Sequence, residues 1–398
     1  MKKVYIVNAV RTPIGRMGGA LSSVSAVSLG ALVIKEALRR GGVPAEAVDH
    51  VYMGCVIQAG LGQNAARQAA LQAGLPVTAT AETLNIVCGS GLDAVNAAAR
   101  MIACGDADIV AAGGMENMSQ APFAMMQGRF GYRMGAPMGK SELVDTMVHD
   151  ALWDAIQDYH MGITAENVAE KWGITREELD AFAAASQQKA VRSQETGVFQ
   201  EEIVPVTVKV KKKEVLVDTD EGPRPETTVE SLAGLRPAFR PDGIVTAGNS
   251  SGINDGAAAI ILASEEKVKE LGLEPMAQWL GGALGGTDPA IMGVGPVEST
   301  RKLLGKLNMN MEDMDLIEAN EAFAAQSIAV QRELGIPEEK LNIGGGAIAL
   351  GHPVGASGAR ILTTLLYHLK RTGGKKGLAT LCIGGGMGCS CIVERVEK

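Results

Sequence analysis

The chain is written twice, and that duplication constrains its fold more than any other feature of its 398 residues. An apolar helical pattern at 28–40 leads through Gly41-Gly42 into a strand pattern at 47–54. The same order returns as a helix pattern at 300–307 and a strand pattern at 314–320, so that Asp315 follows Asp49 by 266 positions. Ser90-Gly91 opens a helix at 92–104 and Ser357-Gly358 opens another at 359–370, an offset of 267. Two landmarks that keep nearly one offset point to two copies of one unit. Each copy also runs along an apolar strand into Gly-Gly-Met, at 113–115 and at 385–387. Strand and helix patterns alternate in both copies, which predicts an α/β fold of βαβ units, with mostly parallel sheet covered by helices.

The second copy turns at once into a final strand at 389–393. In the first copy the matching strand, 256–263, arrives only after about 130 residues, the size of a domain. The expected division is a first half at 1–118 plus 250–270, an insert at 119–249 and a second half at 271–398. Within the insert, 150–159 and 175–193 read as helices. The second is begun by Thr175 with Glu178 three residues on, a capping box. Residues 203–217 carry strand patterns with exposed lysines, and the Met-, Gly- and Arg-rich stretch 123–140 reads as a surface loop that covers a site or meets another subunit.

Composition excludes several classes of function. A net charge of −8, with no basic run longer than 211–213, argues against a nucleic-acid surface. No apolar segment reaches membrane-spanning length, and the run after Lys2-Lys3 is too short for a secretory signal. Six cysteines without framework spacing fit a reducing cytoplasm, and Cys389 and Cys391, alternating on a strand, read as buried hydrophobes rather than metal ligands.

Chemistry is concentrated in three glycine-rich stretches. At 342–360 a single histidine, His352, stands among six glycines, and Pro353 fixes the backbone directly after it. Cys88 precedes Gly89-Ser90-Gly91 and a helix, whose positive end favours thiolate over thiol. Taken alone, Cys88 reads more readily as a small buried cysteine. His352 beside it would change that, because an imidazole can take the thiol proton. The duplication predicts this meeting, since the Ser-Gly openings at 91 and 358 should face each other across a pseudo-twofold axis. Cys382 ends the apolar strand 377–383 ahead of Gly384-Gly385-Gly386, and its counterpart in the first copy is expected to be an alanine, 111 or 112. A titratable group added to one copy beside glycine amides suits proton transfer. Asn320 can hold a water or polarise a carbonyl, or cap a helix at 321–330.

Cys88-Gly-Ser-Gly, His160-Met-Gly-Ile-Thr-Ala-Glu-Asn, Thr246-Ala-Gly-Asn-Ser-Ser, Asn320-Glu-Ala-Phe-Ala, Gly351-His-Pro and Cys382-Ile-Gly-Gly-Gly together resemble the thiolase family, in its biosynthetic acetyl-CoA acetyltransferase branch, over residues 4–396. The resemblance implies two thiolase half-domains in a five-layer α-β-α-β-α body, an inserted loop domain, and a homotetramer built as a dimer of dimers. It implies that Cys88 is the nucleophile that becomes acetylated, His352 the group that activates it, and Cys382 the acid/base acting on a second acetyl-CoA. The backbone N–H groups of Cys88 and Gly384 would meet one developing oxyanion, and His352 with a water held on Asn320 the other. Coenzyme A would come and go as part of the substrates acetyl-CoA and acetoacetyl-CoA, with no tightly bound cofactor and no metal. Leu152, His160, Met161, Arg224, Phe239, Ala247 and Ser251 match its contacts, Arg224 facing the nucleotide and Ser251 bonding the pantetheine arm. One departure is Asp93, where the family usually has Lys or Arg; it is expected to bring negative charge towards the nucleophile. A degradative 3-ketoacyl-CoA thiolase of broader chain length is the nearest alternative. A decarboxylating ketoacyl synthase would need a second histidine where Cys382 stands, and a non-catalytic acyl-CoA binder would not take up acetyl on Cys88.

Overall fold

The structure is a computed structural model and describes residues 2–131 and 142–397. Nine strands carry the main sheet. They are β1 (Val4–Arg11), β2 (His50–Gly54), β3 (Thr80–Leu84), β4 (Ile109–Asn117), β5 (Asn254–Ser264), β6 (Ala277–Gly286), β7 (Leu316–Ala319), β8 (Lys376–Ile383) and β9 (Met387–Arg395), and a two-residue strand, Gly15–Arg16, adds to β5. In the first half β2 lies parallel between β3 and β4, β4 pairs antiparallel with β5, and β5 with β1. In the second half β7 bridges in parallel to Leu341 and pairs in parallel with β8; β8 pairs antiparallel with β9, and β9 with β6. The order and sense of pairing repeat, and β1 joins β6 antiparallel to connect the halves. Antiparallel pairs outnumber parallel ones. The expectation of mostly parallel sheet fails because β8 returns directly through Gly384-Gly385-Gly386 as β9, and β5 returns antiparallel after the insert.

One pair of aspartates fixes the register of the repeat. Asp49 accepts the amides of Asp108 and Ile109 at 2.7 and 3.0 Å, and Asp315 accepts those of Lys375 and Lys376 at 2.7 and 2.9 Å. Ile109 and Lys376 are therefore equivalent, 267 positions apart, as are Gly91 and Gly358. In this register Cys382 corresponds to Met115, not to an alanine at 111 or 112. The two Gly-Gly-Met runs are a coincidence of composition rather than equivalent positions.

Helices α1 (Ala26–Gly41) and α2 (Ala65–Gln72) cover the outer face of the first half-sheet. Helix α3 (Ser90–Cys104) packs with its counterpart, α8 (Ser357–Thr372), between the two half-sheets, within the largest apolar core. The insert supplies α4 (Met161–Trp172) and α5 (Arg176–Glu195). With α6 (Gly295–Leu307) and α7 (Ala324–Leu334) they lie on the second half's outer side. This is the five-layer α-β-α-β-α body. Helix α8 is buried on every side from Ser357 to Leu369, polar residues included, so it has no solvent face.

The Thr175–Glu178 capping box opens α5, and the lysines at 209–213 are exposed on the hairpin Val206–Val210 with Lys213–Val217. The helix expected at 150–159 is replaced by a single π-turn, Val148–Leu152, and a small pairing of Trp153–Asp154 with Tyr159–His160. Asp154 accepts the amides of Ile156 and Gln157 at 2.8 and 3.0 Å and turns the chain there. Of the loop expected at 123–140, residues 132–140 lie outside the described residues. Among the described residues no helix is long and apolar enough to cross a membrane.

Candidate active site

Cys88 sits just ahead of Gly89, the cap of α3, on a strained turn: Val87 has φ 52°, uncommon for a β-branched residue. Neighbouring side chains hold the turn. Asn85 accepts the Val87 amide at 2.9 Å; Ser90 Oγ donates to Val87 O at 2.6 Å and accepts from Ile86 N at 3.0 Å. Ile383 at the end of β8 packs against Gly89, and its side chain would have to shift to admit a Cβ there. Burial pushes the Cys88 thiol up to about 11, while hydrogen bonds from the amides of Gly384 and of Cys88 itself pull it down. The helix terminus therefore does not produce a resting thiolate, contrary to the expectation from position alone. Desolvation outweighs it.

His352 reaches the same place from the second half. Its Nδ1 lies 2.5 Å from Ser357 Oγ, and that hydroxyl donates to Pro353 O at 2.9 Å. With the hydroxyl proton committed, the hydrogen-bond network assigns Nδ1 as the protonated nitrogen and leaves Nε2 as the acceptor. Burial, aided by the charge of Arg360, holds the ring's pKa at about 3, so it is neutral. Nε2 faces Asn320 Nδ2 at 3.5 Å. Asn320 Oδ1 is buried with no hydrogen-bond partner among the described residues, which suits an atom that holds a water. Asn320 is not a helix cap, because α7 begins only at Ala324.

Cys382 is the last residue but one of β8 and is wholly buried, paired with Gly388 of β9. Burial pushes its thiol well above the ordinary range, and the proximity of Cys88 adds to this. Cys88, His352 and Gly384 line one cavity of ≈ 490 Å³. Leu152, Met161 and Phe239 are on its wall, and so are His160, Arg224, Ala247 and Ser251. His160 is set by its own helix: Nδ1 accepts the Gly162 amide at 3.0 Å, and the ring stacks on Phe239 at 4.8 Å. Gly162 has no Cβ because the Phe239 ring occupies that space. Asp93 is turned elsewhere. It lies 3.5 Å from Arg100 and its charge bears on Cys389, whereas the carboxylate that bears on Cys88 is Glu116.

Sequence reasoning missed Ser357, which sets the His352 tautomer, and Asn254, which accepts the His352 amide at 2.9 Å. It also missed Met118 and Met292 on the cavity wall. Ser357 had a signal, since it stands five residues after the histidine at a helix opening. The others meet the site only through the fold.

The family model described as "Thiolase, N-terminal domain" matches residues 4–266, and "Thiolase, C-terminal domain" matches residues 273–395. The chain belongs to the thiolase family. Among curated members, the acetyl-CoA acetyltransferase of Syntrophomonas wolfei is 56% identical over 395 residues, covering 99% of each chain. That of Pseudomonas aeruginosa is 57% identical, over 99% of this thiolase and all of its own length. Two solved structures superpose along the whole chain and cover 99% of their own. The Bacillus anthracis acetyl-CoA acetyltransferase has a TM-score of 0.97 at 48% identity, and human mitochondrial 3-ketoacyl-CoA thiolase 0.96 at 42%.

Proposed function

We propose that this thiolase is an acetyl-CoA C-acetyltransferase, catalysing the reversible condensation of two acetyl-CoA into acetoacetyl-CoA and CoA. The observation that carries the proposal is a single cavity lined by a cysteine, a neutral histidine and the seven residues matched to coenzyme A. In the proposed first half-reaction His352 Nε2 takes the Sγ proton as Cys88 attacks the acetyl carbonyl. The amides of Cys88 and Gly384, already directed at the sulfur, serve the oxyanion. The carbon–sulfur bond to CoA breaks, and Cys382 protonates the departing thiolate. A thiolate at Cys382 is then left beside an imidazolium at His352. This accounts for a group so buried acting as a base: it ionises only within the acetyl-enzyme. In the second half-reaction Cys382 removes a methyl proton from the incoming acetyl-CoA, and the enolate oxygen is met by His352 and a water on Asn320. The carbon attacks the acetyl group, and Cys88 leaves and recovers its proton from His352.

Curated relatives at 54–57% identity named acetyl-CoA acetyltransferase favour the short-chain reading over a broader 3-ketoacyl-CoA thiolase. The test is CoA-dependent cleavage of acetoacetyl-CoA measured beside a ten-carbon 3-ketoacyl-CoA. Fast cleavage of the first and little of the second is expected. Equal rates would favour the broader enzyme, and no cleavage of either would remove the reading. The proposal includes a cytoplasmic homotetramer without nucleic-acid or membrane partners. The exposed Phe123, Met126, Leu143 and Ile156 of the insert support subunit contact. Light scattering should then return four times the 41.4 kDa chain mass.

A further inference from the structure

Glu116 stands at the end of β4 with its side chain fully buried, and nothing in the reaction above uses it. Four donors converge on its carboxylate. Oε2 accepts from Val56 N and Gly355 N, both at 2.9 Å; Oε1 accepts from Ile57 N at 3.1 Å and faces Cys55 Sγ at 3.7 Å. Val56 and Ile57 follow β2 of the first half. Gly355 belongs to the second half, three residues past His352, and opens the turn into α8. One carboxylate therefore ties the histidine-bearing loop to the half that carries Cys88. The loop rests on that half closely: a Cβ on Gly54 would come within 2.7 Å of Gly355 O, and one on Gly114 would collide with it.

The repeat makes the arrangement unequal in an informative way. In the register set by Asp49 and Asp315, Glu116 corresponds to Ile383, and Gly355 corresponds to Cys88. Each half's strand end supports the other half's helix opening, Glu116 beneath Gly355 and Ile383 against Gly89. The Cys88 loop is carried by an apolar contact. The His352 loop is carried by directional hydrogen bonds, which fix a position more tightly than van der Waals contact does. We infer that Glu116 is a positioning residue for His352, holding the imidazole of one half at the thiol of the other. The inference rests on the reading of Cys88 and His352 as nucleophile and base.

Glu116→Gln is nearly isosteric but turns one acceptor oxygen into a donor, so at least one of the converging N–H groups loses its partner. The readout is the rate of Cys88 alkylation by iodoacetamide at pH 7.5, followed by peptide mass, in the wild type, E116Q, H352A and the double variant. In the His352 background E116Q is expected to slow alkylation about tenfold or more, as a small misplacement of a base does. In the H352A background it should leave the rate unchanged or raise it, because a carboxyl that burial raises to about 7 is mostly ionised at pH 7.5, and the charge that opposes a Cys88 thiolate has been removed. A general structural role slows both backgrounds alike and would overturn the proposal, as would faster alkylation with His352 present. If H352A alone alkylates as fast as the wild type, the assignment of the base fails and the proposal falls with it. Should E116Q not fold, E116D, which keeps the charge and shortens the reach, enters the same cycle. If neither folds, Glu116 serves folding rather than His352 and the proposal is overturned.

Discussion

At the scale of single residues, the resting site pairs a neutral thiol with a neutral imidazole, because burial acts against charge on both. Incubation with acetyl-CoA should place one acetyl group on Cys88, and Cys88→Ala should abolish label and turnover. Mass mapping checks this, and label on any other residue would count against it. Cys382→Ser should still acetylate at Cys88, though more slowly for want of the acid that protonates the departing CoA thiolate, and should lose condensation by about 10²-fold or more, since removing a carbon-bound proton depends far more on that base than expelling a thiolate depends on an acid. If acetylation fell as far as condensation, Cys382 would be supporting Cys88 instead. The raised Cys88 pKa also has a consequence for stability. The fold favours the protonated thiol, so this contribution is complete below the ordinary thiol value of 9.0 and is lost as pH rises towards about 11. Over that window the wild type should lose more melting temperature than Cys88→Ala. Parallel losses would mean that other groups govern the alkaline limb.

At the scale of elements, local rules account for much of what forms. Thr175 and Glu178 close the capping box of α5, and Thr175→Ala should cost about 1 kcal/mol in urea unfolding. Acetyl transfer should be retained, because this cap lies outside the residues that line the cavity. Gly305, exposed in α6 with open space where a Cβ would stand, is a residue whose backbone freedom is of no evident use. Gly305→Ala should therefore stabilise by about 0.5–1 kcal/mol, and a lower urea midpoint would contradict this. The helix expected at 150–159 failed for a reason just as local: a side chain at Asp154 offered the backbone an alternative set of hydrogen bonds.

At the scale of the whole molecule, the site exists because the first turns of α3 and α8 meet across the two halves with no room between them. A Cβ on Gly358 would run into the backbone of Leu92, and one on Gly91 would come within 2.9 Å of both Ala359 N and Gly355 O. Gly358→Ala should cost about 1–3 kcal/mol and reduce Cys88 acetylation by moving His352 away from it. An unchanged rate would show that the halves can separate without disturbing the chemistry. The sequence by itself determined the duplication, the three glycine-flanked positions proposed to react, and the capped helix. Each of these is written in short-range patterns, such as a glycine where backbone must come close, or a Ser-Gly pair at a helix opening. Only the tertiary structure decided the charge states of Cys88 and His352, because desolvation sums over everything packed around a group. The pairing register likewise showed Cys382 to stand where the first half has Met115, and the end of β4 brought Glu116 beneath the histidine loop. The bond from Gly355 to Glu116 joins residues 239 positions apart, and no local pattern records it.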